Sequence, residues 1–175
     1  MKKKLKNLFL SVKYLSLIWG NVTIDPSASV RLCIIRGQVN IGPHASLYRS
    51  DIYGNVFVGE STSLTGPGLY IHALNRSVIL KSFISIAPGV KIITSGHDLS
   101  APSTSFRAGG LRIEENIEIG HHCWIGAGAI ITGGTEIDDY CVVASGGVAT
   151  GKQYGGYSVW GGVPLIRIGS YNPNE

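Results

Sequence analysis

A chain of 175 residues is one domain's worth of sequence. Hydrophobic residues make up 44% and charged ones 15%, which excludes a disordered chain, and 24 glycines with no three-residue period exclude collagen. The net charge of +4 is concentrated in Lys2, Lys3, Lys4, Lys6 and Lys13, and the rest is near neutral; a basic face running through the domain, which a nucleic-acid partner requires, is missing from the sequence.

Residues 1–20 form a basic, apolar segment in which Leu5, Leu8, Phe9, Val12 and Leu15 recur at helical spacing. Lys13 interrupts the apolar run and no small-x-small cleavage site follows, so the pattern departs from a secretory signal, and it is too short and too charged to cross a bilayer. A helix here either caps the end of the following domain or rests on an anionic membrane surface as a peripheral contact.

From residue 21 a six-residue period begins. Large aliphatics lead and a small or β-branched residue follows four places later: Ile24 with Ala28, Ile41 with Ala45, Val58 with Thr62, Leu80 with Ile84, and Ile86 with Val90. Beyond a gap the frame returns at Ile119, Ile125, Ile131, Ile137 and Val143, with Cys123, Ala129, Thr135, Cys141 and Gly147 in the small slot. A strand alternates faces every two residues, so a corner between hexads sends both marked positions inward, and three such sides close a coil of about 18 residues. The spacing predicts an all-β solenoid over 21–168 with a short tail at 169–175. Gly42, Gly59, Gly120 and Gly126 follow the aliphatic, where positive φ is expected at the corner. Cys33, Cys123 and Cys141 are read as packing residues, and their odd number without a CxxC pair suits reduced thiols in the cytosol.

The frame breaks between Ile92 and Ile119, where 27 residues replace a multiple of six. Residues 94–116 are small and polar, so they are predicted to project as a loop, and long insertions of this kind are usually functional. The loop begins Thr94-Ser95-Gly96-His97-Asp98. His44, His121 and His122 fall at outward hexad positions and are read as surface residues; His72 lies one irregular coil before His97.

The hexads resemble those of the hexapeptide-repeat acyltransferases, and Thr94 to Asp98 resembles the catalytic loop of the galactoside, maltose and nodulation-factor O-acetyltransferases. That resemblance implies a left-handed parallel β-helix, a homotrimer with sites between subunits, and acetyl-CoA as cosubstrate with no metal. It makes His97 the general base, a role that suits an imidazole facing a weakly acidic sugar hydroxyl. It places the oxyanion on the backbone N–H of Ala127, and the cofactor along Trp124, Ala127, Ser145, Thr150, Lys152 and Arg167. His72 and Asp98 are the expected acceptor contacts, with Glu114 or Glu115 open as the group orienting His97. Two departures matter. Gly151 stands where relatives place lysine after the threonine, so Lys152 is shifted by one, and Arg167 stands one place late after Pro164. Residues 1–20 also lack the acceptor-binding pattern of galactoside-type enzymes. The expected reaction is O-acetylation of a saccharide in bacterial surface polysaccharide biosynthesis, in the cytoplasm or at the inner face of its membrane. The alternatives are N-acetylation of a nucleotide-linked amino sugar and a non-catalytic β-helix scaffold.

Overall fold

The structure, a computed structural model, describes Lys6, Phe9, residues 14–97 and residues 112–174, with the side chains of 112 and 113 left aside. Lys6, Phe9 and Tyr14 are helical. The strands are β1 (Leu17–Ile24), β2 (Ser29–Arg31), β3 (Ile34–Ile41), β4 (Ser46–Val58), β5 (Ser63–Leu80), β6 (Ser85–Ile86), β7 (Lys91–Ile93), β8 (Ser95–His97) and β9 (Arg112–Glu114). They continue as β10 (Ile117–Ile119), β11 (Trp124–Ile125), β12 (Ile130–Thr132), β13 (Glu136–Ile137), β14 (Cys141–Val143), β15 (Val148–Ala149), β16 (Gln153–Tyr154), β17 (Ser158–Gly161) and β18 (Ile166–Ser170). β1 opens at Leu17, so residues 17–20, expected in the helical segment, belong to the first coil, and Ile18 enters the core.

Sixteen strands form one wound sheet, a left-handed parallel β-helix with three walls. The first wall stacks Ile18, Ile35, Ile52, Ile71, Ile92, Ile131 and Ala149 in register. The second stacks Ile24, Ile41, Val58, Leu80, Ile119, Ile137 and Tyr154. The third stacks Val30, Leu47, Leu64, Ile86, Ile125, Val143 and Trp160. Nearly all of these side chains are buried, and each Ile, Leu or Val so placed contributes roughly 1.5–3 kcal/mol. The small slots fill the space between rungs: Ala28, Ala45, Thr62, Ile84, Cys123 and Cys141 are all buried, as the hexads require. The hydrogen bond with the adjoining Cys141 thiol, and then burial, push the Cys123 thiol up, and burial pushes up Cys33; neither is an accessible nucleophile. Thr135 is the exception among the buried polar residues, because its Oγ1 has no hydrogen-bond partner among the described residues.

The corners differ from expectation in one respect. Gly42, Gly59, Gly120 and Gly126 do not adopt positive φ; that conformation falls two residues later, at His44, Ser61, His122 and Gly128. Glycine is needed instead for close approach: a Cβ on Gly120 would lie 2.6 Å from the amide nitrogen of Asp139 in the next coil, and one on Gly126 would lie 2.6 Å from that of Ser145. At the corner between the second and third walls, positive-φ residues carry rings that stack in a continuous pile. Phe83, His122, Tyr140 and Tyr157 lie 4.9, 4.7 and 4.8 Å apart, centroid to centroid. Stacking at about 0.5–1.5 kcal/mol per pair offsets the left-handed backbone at about 1–2 kcal/mol per residue. Antiparallel β17 and β18 close the C-terminal end, where Trp160 packs edge-on against Tyr154.

Candidate active site

Two places in the column depart from the tight coil, and both bear on chemistry. The first is the corner between the first and second walls. In the lower coils it is closed by Gly20, Gly37 and Gly54, stacked so closely that a Cβ on Gly37 would strike the carbonyl of Gly54. Higher up the chain leaves this corner twice. Leu74, Asn75 and Arg76 bulge out between Ala73 and Ser77, and one coil later the long insertion leaves after Thr94. β8 and β9 pair antiparallel as its stem, with His97 opposite Arg112. His97 is exposed at the outer end of β8. Residues 98–111, and with them Asp98, lie outside the described residues.

The smaller bulge straps the stem to the column. Asn75 Nδ2 donates to Glu114 Oε1 at 3.0 Å, Arg76 Nε donates to the Glu114 carbonyl at 2.9 Å, and Ser77 N donates to Asn116 Oδ1 at 3.0 Å. Buried Thr94 ties in the other side: its Oγ1 accepts from Leu74 N and donates to the His72 carbonyl, while its carbonyl accepts from Glu115 N at 3.1 Å. The Glu114 carboxylate is thus bonded to Asn75, and the Glu115 carboxylate lies so close to Gly134 that a Cβ there would collide with it. Both carboxylates serve the base of the loop. Asn75 and Arg76 were missed by sequence reasoning, although the spacing of nine from Ile71 to Leu80 marks the extra residues.

The second departure is the corner between the third and first walls. In the first coils it is tight: Val30 reaches Cys33 through Arg31 and a left-handed Leu32. Higher coils insert one more residue before the left-handed one, giving Ala87-Pro88-Gly89, Gly126-Ala127-Gly128 and Ala144-Ser145-Gly146. The inserted residues stack, since Pro88 O accepts from Gly128 N at 3.0 Å and Ala127 O accepts from Gly146 N at 2.8 Å. Pro88 has no N–H. Ala127 and Ser145 do, both are exposed, and neither amide has a hydrogen-bond partner among the described residues. Backbone donors of this kind suit an oxyanion or an amide-rich ligand arm.

The remaining candidates divide between these two corners. Trp124 stands outward on the third wall at 53% exposure, in register with Ser85 and Val142, on the side of Ala127 and Ser145. Arg167, exposed on β18 above that wall, is engaged with Gly169 O and Ser170 Oγ. Thr150 and Lys152 instead lie at the end of the first wall and its corner, and the Thr150 amide donates to Tyr154 Oη at 2.9 Å. His72 sits half-buried on the outer face of the first wall, stacked on Tyr70 at 5.8 Å and edge-on to Tyr53. Burial, with Asp51 and Tyr70 nearby, pushes the Tyr53 phenol up. His44 and His122 are exposed; His121 Nδ1 accepts from Ser82 N. His97 and Ala127 therefore occupy opposite edges of the first wall, about 20 Å apart along a strand at about 3.3 Å per residue.

This architecture is shared with a hexapeptide transferase family protein from Anaplasma phagocytophilum, 17% identical with a TM-score of 0.64. No family profile and no curated protein matches the chain. Solved structures do. A variant of AntD, an N-acyltransferase from Bacillus cereus in complex with dTDP and coenzyme A, is 17% identical with a TM-score of 0.69, covering 99% of this chain and 91% of that one. Galactoside acetyltransferase in complex with coenzyme A is 22% identical with a TM-score of 0.56, covering 89% and 64%. The polySia specific acetyltransferase NeuO is 18% identical with a TM-score of 0.65, covering 87% and 69%. At these identities the likeness establishes the fold.

Proposed function

We propose that this chain is an acetyl-CoA-dependent O-acetyltransferase that modifies a sugar hydroxyl, working as a homotrimer with its sites between subunits. The observation that carries the reading is the pair of amides, Ala127 and Ser145, unbonded among the described residues, on a corner lengthened by one residue to present them. The acceptor hydroxyl gives its proton to His97 as its oxygen attacks the thioester carbonyl. The Ala127 N–H receives the developing oxyanion, and collapse of the tetrahedral species expels the coenzyme A thiolate, which takes the proton from the imidazolium. No acyl-enzyme is needed, in keeping with thiols sealed in the core.

The separation of His97 from Ala127 favours assembly, because a second copy can supply the group that one copy holds a wall's width away. The outer face of the first wall offers the contact: Trp19, Tyr53, Tyr70, Ile93, Ile130 and Val148 lie along it beside Arg36, Asp51 and Lys91, and a closed three-fold ring would bury it. On this reading Trp124, Ser145 and Arg167 of one subunit follow the cofactor, and His72 with Asp98 faces the acceptor near the loop. Coenzyme A in complex with AntD and with galactoside acetyltransferase supports the donor. The polySia specific acetyltransferase NeuO among the similar folds supports a saccharide acceptor.

A second reading, N-acylation of a nucleotide-linked amino sugar, is favoured by the extent of the AntD likeness. One experiment separates them. Acetyl-CoA consumption is measured against a panel of free sugars, nucleotide-linked amino sugars and serine, with wild type and His97→Ala. Hydroxyl acetylation that falls about 10²–10⁴-fold in His97→Ala, with the assembly intact, supports the proposal. Turnover confined to amino sugars favours the second reading, and unchanged turnover in His97→Ala removes His97 as the base.

A further inference from the structure

In a solenoid, position along the chain becomes height along the axis, so uneven charge in the sequence becomes a polarised column. Among the described residues, the first 49 positions hold Lys6, Arg31, Arg36 and Arg49 against a single acid, Asp25, whereas the later ones hold six basic and eight acidic residues. The N-terminal end is therefore the positive end. It is also apolar on its outside: Phe9, Leu15 and Leu32 are 67%, 72% and 54% exposed. Leu15 and Leu32 stand one coil apart at the corner between the third and first walls, with φ of 50° and 55°. The upper coils place glycine at that position, which adopts this backbone at lower cost. Two leucines held there with their side chains in solvent gain nothing from the core. Arg31 adjoins Leu32, Arg49 takes the same corner one coil higher, and a recess of about 410 Å³ lined by Tyr14, Leu15, Ala28, Ser29, Val30 and Arg31 opens beside them.

We propose that this end of the β-helix docks on an anionic lipid surface, with the leucines entering the boundary between headgroups and acyl chains and Lys6, Arg31 and Arg49 meeting the phosphates. The pairing of exposed leucine with arginine selects lipid over nucleic acid, which would use the cations and leave the leucines in water. In a three-fold assembly three such ends share one face, and the contact becomes multivalent. The surface is separate from the groups assigned to acyl transfer.

The test uses the full chain and sedimentation with vesicles of phosphatidylglycerol mixed with phosphatidylcholine, or of phosphatidylcholine alone, at low and high salt (about 0.05 M and about 0.5 M). Binding to the anionic vesicles only, and its loss at high salt, is expected. Arg31→Glu should lower partitioning about five- to 25-fold, because it removes one cation and adds one anion. Leu15→Asp combined with Leu32→Asp should lower it at least about tenfold. Circular dichroism and gel filtration should remain as in wild type for every variant, so the result is scored independently of catalysis. Equal binding to both vesicle types, no binding to either, anionic binding untouched by the variants, or tighter binding to a duplex oligonucleotide at the same salt would each overturn the proposal.

Discussion

Replacing Ala127 by proline removes one hydrogen-bond donor and asks for a backbone that the column already contains. The equivalent residue one coil below is Pro88, flanked by Ala87 where Ala127 is flanked by Gly126, and both flanking amides donate to the next coil, at 3.0 and 2.8 Å. The Ala127 carbonyl that receives Gly146 N keeps its bond. Ala127→Pro is therefore expected to stay within about 1 kcal/mol of wild type, which for a chain of this size is a Tm shift of about 2–4 °C. Turnover should respond quite differently. Loss of one oxyanion donor costs roughly 10²–10³ in kcat, about 2.7–4 kcal/mol. The Ser145 amide cannot stand in, because strands of successive coils are about 4.8 Å apart and a donor must come within about 3 Å of the oxygen. Ala127→Gly keeps the N–H and should stay within a few-fold of wild type. The assay is release of the coenzyme A thiol, followed by a thiol reagent, beside a thermal melt of the same sample. A proline variant with native melting and full turnover would refute the assignment of the Ala127 amide.

Other perturbations probe the supports. Asn75→Ala removes the 3.0 Å bond to Glu114 and should lower kcat about tenfold, worth about 1.4 kcal/mol, with the melt unchanged; Asn75→Asp, which opposes two carboxylates, should be worse than alanine. Thr135→Val should raise stability by about 1–2 kcal/mol in urea unfolding, since the isosteric methyl replaces a buried hydroxyl with no partner among the described residues and continues the inward line of Val22, Val39, Val56, Val78 and Ile117. Thr135→Ser keeps the orphan hydroxyl and removes a methyl, and should be less stable than wild type.

Much of the column is legible in the sequence because each wall residue must point inward for itself. Ile119 to Val143 recur at six, and every one of them is buried. The first coils are harder to read because their third corner is one residue shorter. Ile18-Trp19-Gly20-Asn21-Val22, Ile35-Arg36-Gly37-Gln38-Val39 and Ile52-Tyr53-Gly54-Asn55-Val56 repeat at 17, a period that a search at six or 18 passes over. The corner glycines are recognisable, but their reason is not: composition suggests free rotation, whereas Gly120 and Gly126 are required by the backbone of the coil stacked on them. The base of the loop is least legible. The bonds from Asn75 and Arg76 to Glu114 join residues nearly 40 positions apart, and no local pattern encodes them. Ala127 and Ser145 are marked only by what Pro88 lacks, and that contrast is visible once the coils are aligned.

The corner that carries both the short bulge and the long insertion has a consequence for how such a molecule can diversify. Coils above and below it keep their own wall pairings, so with the bonds from Asn75, Arg76 and Thr94 at its base retained, an excursion there can lengthen while the entropy of closure rises only slowly. On the proposed reading, a new acceptor calls for rewriting only that one balcony, while the masonry assigned to the donor stays as it was.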